Sequence, residues 1–158
     1  MPSPLINLKG YTTPRTFSGF QIPVPLQSAT IRRYCEERGL VFNHHVSENV
    51  TENTYLVLER LVSDSEHFEA LGMCSIGMLP SDSAHRSSLL NRCLTNGTSI
   101  HFILEQIVLS SVAECDAFDE LLTLTTMLRN ETRHLERVAG LLRNSQEGRD
   151  LARNQFNT

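Results

Sequence analysis

Lysine is nearly absent from this chain. Lys9 is the one lysine among 14 basic residues, so the other 13 are arginines, against 18 acidic residues and a formal net charge of −4. With no surplus of positive charge to neutralise phosphates, general nucleic-acid binding is not expected. No apolar run approaches the roughly 18–20 residues that span a bilayer. No charged segment precedes an apolar stretch within Met1 to Lys9. Neither a membrane partner nor a secretory leader is therefore expected, and the expected compartment is the cytoplasm. Cysteines stand singly at Cys35, Cys74, Cys93 and Cys115 with no C-x-x-C pair, which excludes a zinc ribbon or a thioredoxin-like motif. They read as reduced, mostly buried thiols. A glycine-rich dinucleotide fingerprint, a Walker loop and a nucleophile elbow are all missing, and no cofactor is expected.

What is present is a rhythm of short apolar stretches and helical periods. Leu5 to Thr13 reads as a first strand, followed by a loop from Pro14 to Pro25 punctuated by Gly19 and Pro23. The spacing predicts a helix from Leu26 to Arg38, stopped by Gly39 and turned inward through Leu26, Ile31, Tyr34 and Cys35. Leu40 opens a second strand that carries His44 and His45. Thr51 is placed to cap a helix reaching Val62, with Tyr55, Leu58, Leu61 and Val62 on one face. Ala70 to Met78 reads as an uncharged central strand. Pro80-Ser81-Asp82 opens a helix to Leu94, and Ser99 to Leu104 is a fourth strand. Strands and helices alternating at about thirty residues predict an α/β fold: an open, mostly parallel sheet of four to five strands with flanking helices.

The C-terminal part differs. Phe118, Leu121, Thr125, Leu128, Thr132, Leu135, Ala139 and Leu142 step by three and four in a heptad-like seam. The expected organisation is an α/β domain over 1–109, a helical extension over 110–148 able to oligomerise, and a flexible tail over 149–158. A homo-oligomer joined through the 118–142 helix is the expected assembly.

In an open parallel sheet, ligands bind beyond the carboxyl ends of the strands. That rule nominates Tyr11, Arg15 and Gln27 after the first strand, and Ser47, Glu48 and Asn53 after the second. It adds Ser75 after the third and Glu105 after the fourth, with His101 inside that strand. Glu48, Glu105 and His101 are the candidate acid–base groups; Tyr11, Arg15, Gln27, Arg32, Ser47, Asn53 and Ser75 are the candidate ligand contacts. The set is polar and mixed in charge, as a sugar or sugar phosphate requires, with arginines suited to an anion. No metal is expected: adjacent His44 and His45 on a strand point to opposite faces and cannot share one ion.

Residues in order along the chain also resemble a family. They are Gly10-Tyr11, Arg15, Gly19, Pro23, Gln27, Ile31-Arg32-x-Tyr34-Cys35, Gly39-Leu40, Ser47-Glu48, Asn53-x-Tyr55, Leu58-Glu59, Leu79-Pro80 and Ile100-His101-Phe102-x-x-Glu105. Together they resemble the sporadic carbohydrate cluster proteins of bacterial surface-polysaccharide loci. That resemblance implies a cytosolic role in lipopolysaccharide or capsule synthesis without an established reaction. Together with the polar ring at the strand ends it leads to an expected enzyme on a nucleotide-linked or phosphorylated sugar. The heptad-like helix and the missing catalytic motif lead to the alternative of a non-catalytic oligomeric scaffold. The order of elements is also similar, more distantly, to the catalytic domain of serine recombinases (resolvases), in which a long dimerising helix follows the sheet, so the resemblance implies a flavodoxin-like or resolvase-like arrangement. Recombinase chemistry uses an Arg-x-Ser segment after the first strand. Here that place reads Tyr11-Thr12-Thr13-Pro14-Arg15, so recombination is not expected.

Overall fold

The computed structural model describes the backbone of residues 5–155 and the side chains of 5–143. It has two compact units, Met1–Ala117 and Phe118–Thr158. The first is a five-stranded sheet in the order β2-β1-β3-β4-β5. Strands β1 (Asn7–Thr12), β2 (Val41–Ser47), β3 (Ala70–Met73) and β4 (Ser99–Phe102) are parallel, and β5 (Ile107–Leu109) pairs antiparallel with β4. Helices α1 (Val24–Arg38), α2 (Leu56–Ser63) and α3 (Ser83–Thr95) make the connections. The expected α/β class and mostly parallel sheet are what the chain forms.

A single row across the sheet shows how α1 is seated. Register pairs Gly10 with both His45 and Gly72, and Gly72 with His101. The row therefore reads His45, Gly10, Gly72, His101, all on one face. A Cβ at Gly10 would lie 2.9 Å from the His45 Cβ and 3.3 Å from Ile31 of α1. The absent side chain is what lets α1 settle onto the sheet. At the two ends of the row the histidines bind the helix: Ser28 Oγ lies 3.0 Å from His45 Nδ1, and Tyr34 Oη lies 2.8 Å from His101 Nδ1. Neighbouring Tyr11 points to the other face, toward Glu48, as alternation requires. Exposed His44 turns away from His45, in keeping with its place one residue along a strand.

Three boundaries depart from the sequence reading. The third strand ends at Met73, not Met78, because Ser75 Oγ accepts the Gly77 N–H at 3.1 Å and folds Ile76–Met78 into a 3-10 turn. Helix α2 begins at Leu56 rather than near Thr51, and no side chain at its N-cap closes it. On α1, Leu26 is exposed and Gln27 takes the buried place instead.

The second unit is part of one unbroken helix, α4 (Glu114–Gln155), which also covers 149–155, where the sequence reads as a tail. Along it Leu121, Leu124, Leu128, Leu135 and Leu142 are 49–68% exposed, with Val138 half-exposed between the last two. Among the described residues no helix is long and apolar enough to cross a membrane.

Candidate functional site

The crevice between β1 and β3, where the strand order reverses, is the place an open sheet offers a ligand. Here the chain fills it with Gln27. Its Oε1 accepts the Thr13 N–H at 3.0 Å, and its Nε2 donates to the carbonyls of Thr13 at 2.6 Å and Ile22 at 2.7 Å. The Cys74 thiol, at the end of β3, donates to the Gln27 carbonyl at 3.7 Å. A fully buried amide satisfied on both sides is a plug, and it fixes the start of α1 against the strand end.

Glu48 is equally committed. Its buried carboxylate accepts the Tyr11 hydroxyl at 3.1 Å and the backbone N–H groups of Asn49, Val57 and Leu58 at 3.0–3.3 Å. Those last two N–H groups belong to the first turn of α2. Glu48 thus caps from eight residues upstream the helix that lacks a cap of its own. Burial, followed by the charge and hydrogen bond of Glu48, pushes the Tyr11 phenol far above its ordinary range. Tyr11 is a neutral donor at any physiological pH.

Arg15 donates through Nη1 to the carbonyls of Thr51 and Thr54 at 3.0 and 2.7 Å, and through Nε to Thr13 Oγ1 at 3.2 Å. Its guanidinium carbon stands 4.8 Å from the centroid of the Tyr55 ring. Among the described residues no carboxylate lies within ion-pair distance of it. Arg15 borders a cleft of about 170 Å³ shared with Thr16, Glu52, Asn53 and Tyr55. Asn53 enters this cleft with φ +59, the left-handed conformation that asparagine tolerates.

Ser75, capping the 3-10 turn after β3, and Glu105, in the β4–β5 turn, form a separate pair. The Ser75 hydroxyl donates to Glu105 at 2.6 Å, and the same carboxylate accepts the Ile76 N–H. Glu105 is exposed at a turn, with Gln106 at φ +56 beside it, so it does not interrupt a buried run. Ser47 is exposed at the end of β2 and paired in register with Thr12.

His101 and Arg32 lie elsewhere. His101 sits mid-sheet under α1, where Tyr34 donates to Nδ1 and Nε2 lies 2.9 Å from Ser99 Oγ. Since Ser99 itself donates to the Glu69 carbonyl, the Nε2 proton points at Ser99 and the ring is neutral. Burial, with Arg38 adding to it, lowers its pKa to about 4. Arg32 lies on α1 with its guanidinium 5.3 Å from the Phe42 ring, on the solvent side of the helix. The structure therefore joins Tyr11 to Glu48 and Ser75 to Glu105, holds Arg15 and Asn53 at one cleft, and separates His101 and Arg32 from all of them.

Sequence reasoning missed one feature beside this edge. Phe17 and Phe20 exchange backbone N–H to carbonyl bonds of 2.9 Å across Ser18 (φ +51) and Gly19 (φ +81), a type I′ hairpin turn. The Ser-Gly dipeptide was its available signal. Gly77 faces Ser18 so closely that any side chain there would overlap it. The loop after β1 is in this way packed against the 3-10 turn after β3.

No protein-family profile and no curated protein matches the chain. Solved structures do. The N-terminal catalytic domain of TP901-1 integrase is similar with a TM-score of 0.59 and 19% identity, over 79% of this chain and 97% of that one. A resolvase family site-specific recombinase from Streptococcus pneumoniae is similar with a TM-score of 0.58 and 11% identity, over 84% and 98%. At these identities the likeness establishes the fold, which is resolvase-like.

This corrects the functional reading. The carbohydrate-cluster resemblance and the role in surface-polysaccharide synthesis are not upheld, because the structural neighbours are recombinase domains. The expectations of a sugar or sugar-phosphate ligand and of no nucleic-acid partner fall with it. The physical reason lies in the residues that carried the resemblance. Gly10 seats a helix, Gln27 plugs a crevice, Glu48 caps α2 and His101 holds Tyr34. Their order along the chain describes a fold, not a sugar-binding chemistry.

Proposed function

We propose that this chain is a recombinase-fold subunit that takes part in site-specific DNA recombination by assembly and DNA contact, without itself cutting the strand. One observation carries this reading: the proton-handling groups at the strand ends are already engaged in holding the fold. Glu48 caps a helix, Tyr11 donates to Glu48, and Ser75 donates to Glu105. A transesterification needs a hydroxyl nucleophile with a base free to take its proton. Of the two other buried hydroxyls there, Thr12 donates to the Val46 carbonyl and Thr13 accepts from Arg15.

The arrangement retains a cation and a seam. Arg15 offers a guanidinium with no carboxylate partner among the described residues, beside an open cleft, and this suits a backbone phosphate. The leucines of α4 supply the assembly face. Exposed Leu121, Leu124, Leu128, Leu135, Val138 and Leu142 follow a three-four spacing interrupted only at Glu131, with Met127 and Leu141 exposed beside it. This seam is more apolar than the one read from Phe118 and supports helix-to-helix pairing.

Incubation with supercoiled plasmid and with labelled duplex DNA in low salt tests the proposal. The expected result is salt-sensitive retention of duplex that Arg15→Ala weakens, with the plasmid left intact. Nicked plasmid carrying covalently attached protein would overturn the non-cleaving role. Absence of any retention in low salt would overturn the DNA contact.

A further inference from the structure

Helix α3 opens with Asp82, whose carboxylate accepts the His85 N–H at 2.7 Å and so seats His85 in the first turn. There its Nε2 stands 2.9 Å from Oε1 of Glu59, in the first turn of α2. The His85 ring also meets the Tyr55 ring nearly at right angles, with centroids 5.9 Å apart. Tyr55 carries Arg15 as well, 4.8 Å from its centroid. Two groups able to bear positive charge thus stand against one aromatic ring.

Each has an unused position. Arg15 spends Nε and Nη1 on Thr13, Thr51 and Thr54, and its Nη2 has no partner among the described residues. His85 spends Nε2 on Glu59, and its side chain is 36% exposed. Its Nδ1 has no partner among the described residues. There Asn91 Oδ1 is the one unbonded polar side-chain atom closed to solvent, so the His85 Nδ1 is open to it. The Glu59 carboxylate is an acceptor only and keeps a proton on Nε2. Nδ1 is therefore the atom that gains or loses a proton as the ring titrates. Without that proton it presents a lone pair, which repels a phosphate oxygen; with it, it presents an N–H. No hydroxyl is bonded to Nδ1 among the described residues, so the ring has no nucleophile to activate.

The surrounding charges make that proton matter. Glu52 lines the Arg15 cleft, Glu59 pairs with His85, and Asp82 lies on the same turn. Against these carboxylates stand Arg15 and the buried Arg86, which donates to the carbonyls of Pro80 and Ser81. With a neutral imidazole the acids prevail; a protonated one restores the balance. Histidine is the side chain whose ordinary titration falls between pH 5 and 8. A phosphate beside Arg15 is opposed in the first state and held through a charge-assisted N–H in the second.

We propose that His85 is a second phosphate contact of the Arg15 site, donating from Nδ1 in its protonated form, so that the DNA contact tightens as pH falls. The inference rests on the DNA-binding reading of Arg15 and adds to it a residue and a direction of pH dependence. Each strand of a duplex carries a phosphate about every 3.4 Å of axis. Side chains on two flanks of one tyrosine ring therefore meet the same backbone.

The test titrates the full chain with labelled duplex DNA at pH 6 and pH 8 over a series of salt concentrations. Affinity should be about three- to fivefold higher at pH 6, the size of one exposed ion pair. The slope of log affinity against log salt should be steeper by about 0.9 there, the signature of one more phosphate neutralised. His85→Gln keeps a donor for Glu59 and should bring both differences to nothing. Arg15→Ala should weaken binding at both pH values. By linkage, duplex should also move the titration of the wild-type His85 ring resonances to higher pH. Equal affinity at the two pH values, a pH dependence that His85→Gln retains, or ring resonances indifferent to duplex would overturn the role of His85 and leave the Arg15 contact standing. Absence of retention at both pH values would overturn the DNA contact itself, and this inference with it.

Discussion

The two units of this protein satisfy their side chains in opposite ways. In Met1–Ala117 most large apolar residues of the strands are buried, and the polar groups at the strand ends bond to one another. In Phe118–Thr158 the leucines of the described helix face solvent, and the threonines bond only to their own helix, as Thr125 and Thr132 do four residues back. The first unit holds its stability internally. The second carries exposed apolar side chains along its described helix.

Removing Glu48 should break the first unit most severely. Glu48→Ala leaves the buried Tyr11 hydroxyl and the Val57 and Leu58 N–H groups without their acceptor. The expected loss is about 4 kcal/mol in urea unfolding, from several orphaned donors at once. A variant of wild-type stability would show that Glu48 is free for chemistry after all.

Acid should act next. His101 has a folded pKa of about 4 against an ordinary 6.5. Its lowered value means that the unfolded chain takes up the proton first. The contribution is whole above pH 6.5, declines as pH falls toward 4, and is flat below. The loss is of the order of 3 kcal/mol. Comparing stability against pH for wild type and His101→Gln isolates it. Equal slopes between pH 6.5 and 4 would remove His101 as the cause.

The helix should respond in assembly rather than stability. Leu128→Glu with Leu135→Glu is expected to lower the sedimentation coefficient if α4 pairs. Unfolding of the first unit should change by no more than about 0.5 kcal/mol, as for surface positions. A shift of several kcal/mol would mean that these leucines serve the α/β unit. The smallest effect concerns thiols. Burial raises Cys35 and Cys74 to about 11 and Cys93 to about 12. Labelling of native protein by a thiol reagent at pH 7.5 should leave these three unmodified until denaturant is added. Rapid labelling would indicate local opening of the first unit.

Much of the architecture was legible because it follows local rules. The prolines of the loop marked the approach to α1, but Pro25 did not keep Val24 extended: the helix begins at Val24 with Pro25 in its first turn, two residues before the expected Leu26. Gly39 at φ +67 ended it as expected, and Asp82 capped α3 through the His85 N–H. The site was less legible. Glu48 looks like a loop acid because its partners are Tyr11 across a strand pair and the amides of residues 57 and 58 beyond a loop. Gln27 looks like a polar residue at a helix start until the β1–β3 crevice exists for it to fill.

By itself the sequence determined the alternation of strands and helices, the parallel class and the long C-terminal helix, since each depends on periodicity and turn chemistry within a few residues. It also determined that His44 and His45 face opposite sides of β2. Only the tertiary structure decided what the polar residues do. Whether a carboxylate caps, plugs or reacts depends on which donors reach it, and for Glu48 those donors come from 37 residues away as well as nearby. The same holds for the ordered residues that resembled a carbohydrate family. Their spacing was real, but the contacts that give it meaning form only when the sheet brings β1, β2 and β3 side by side.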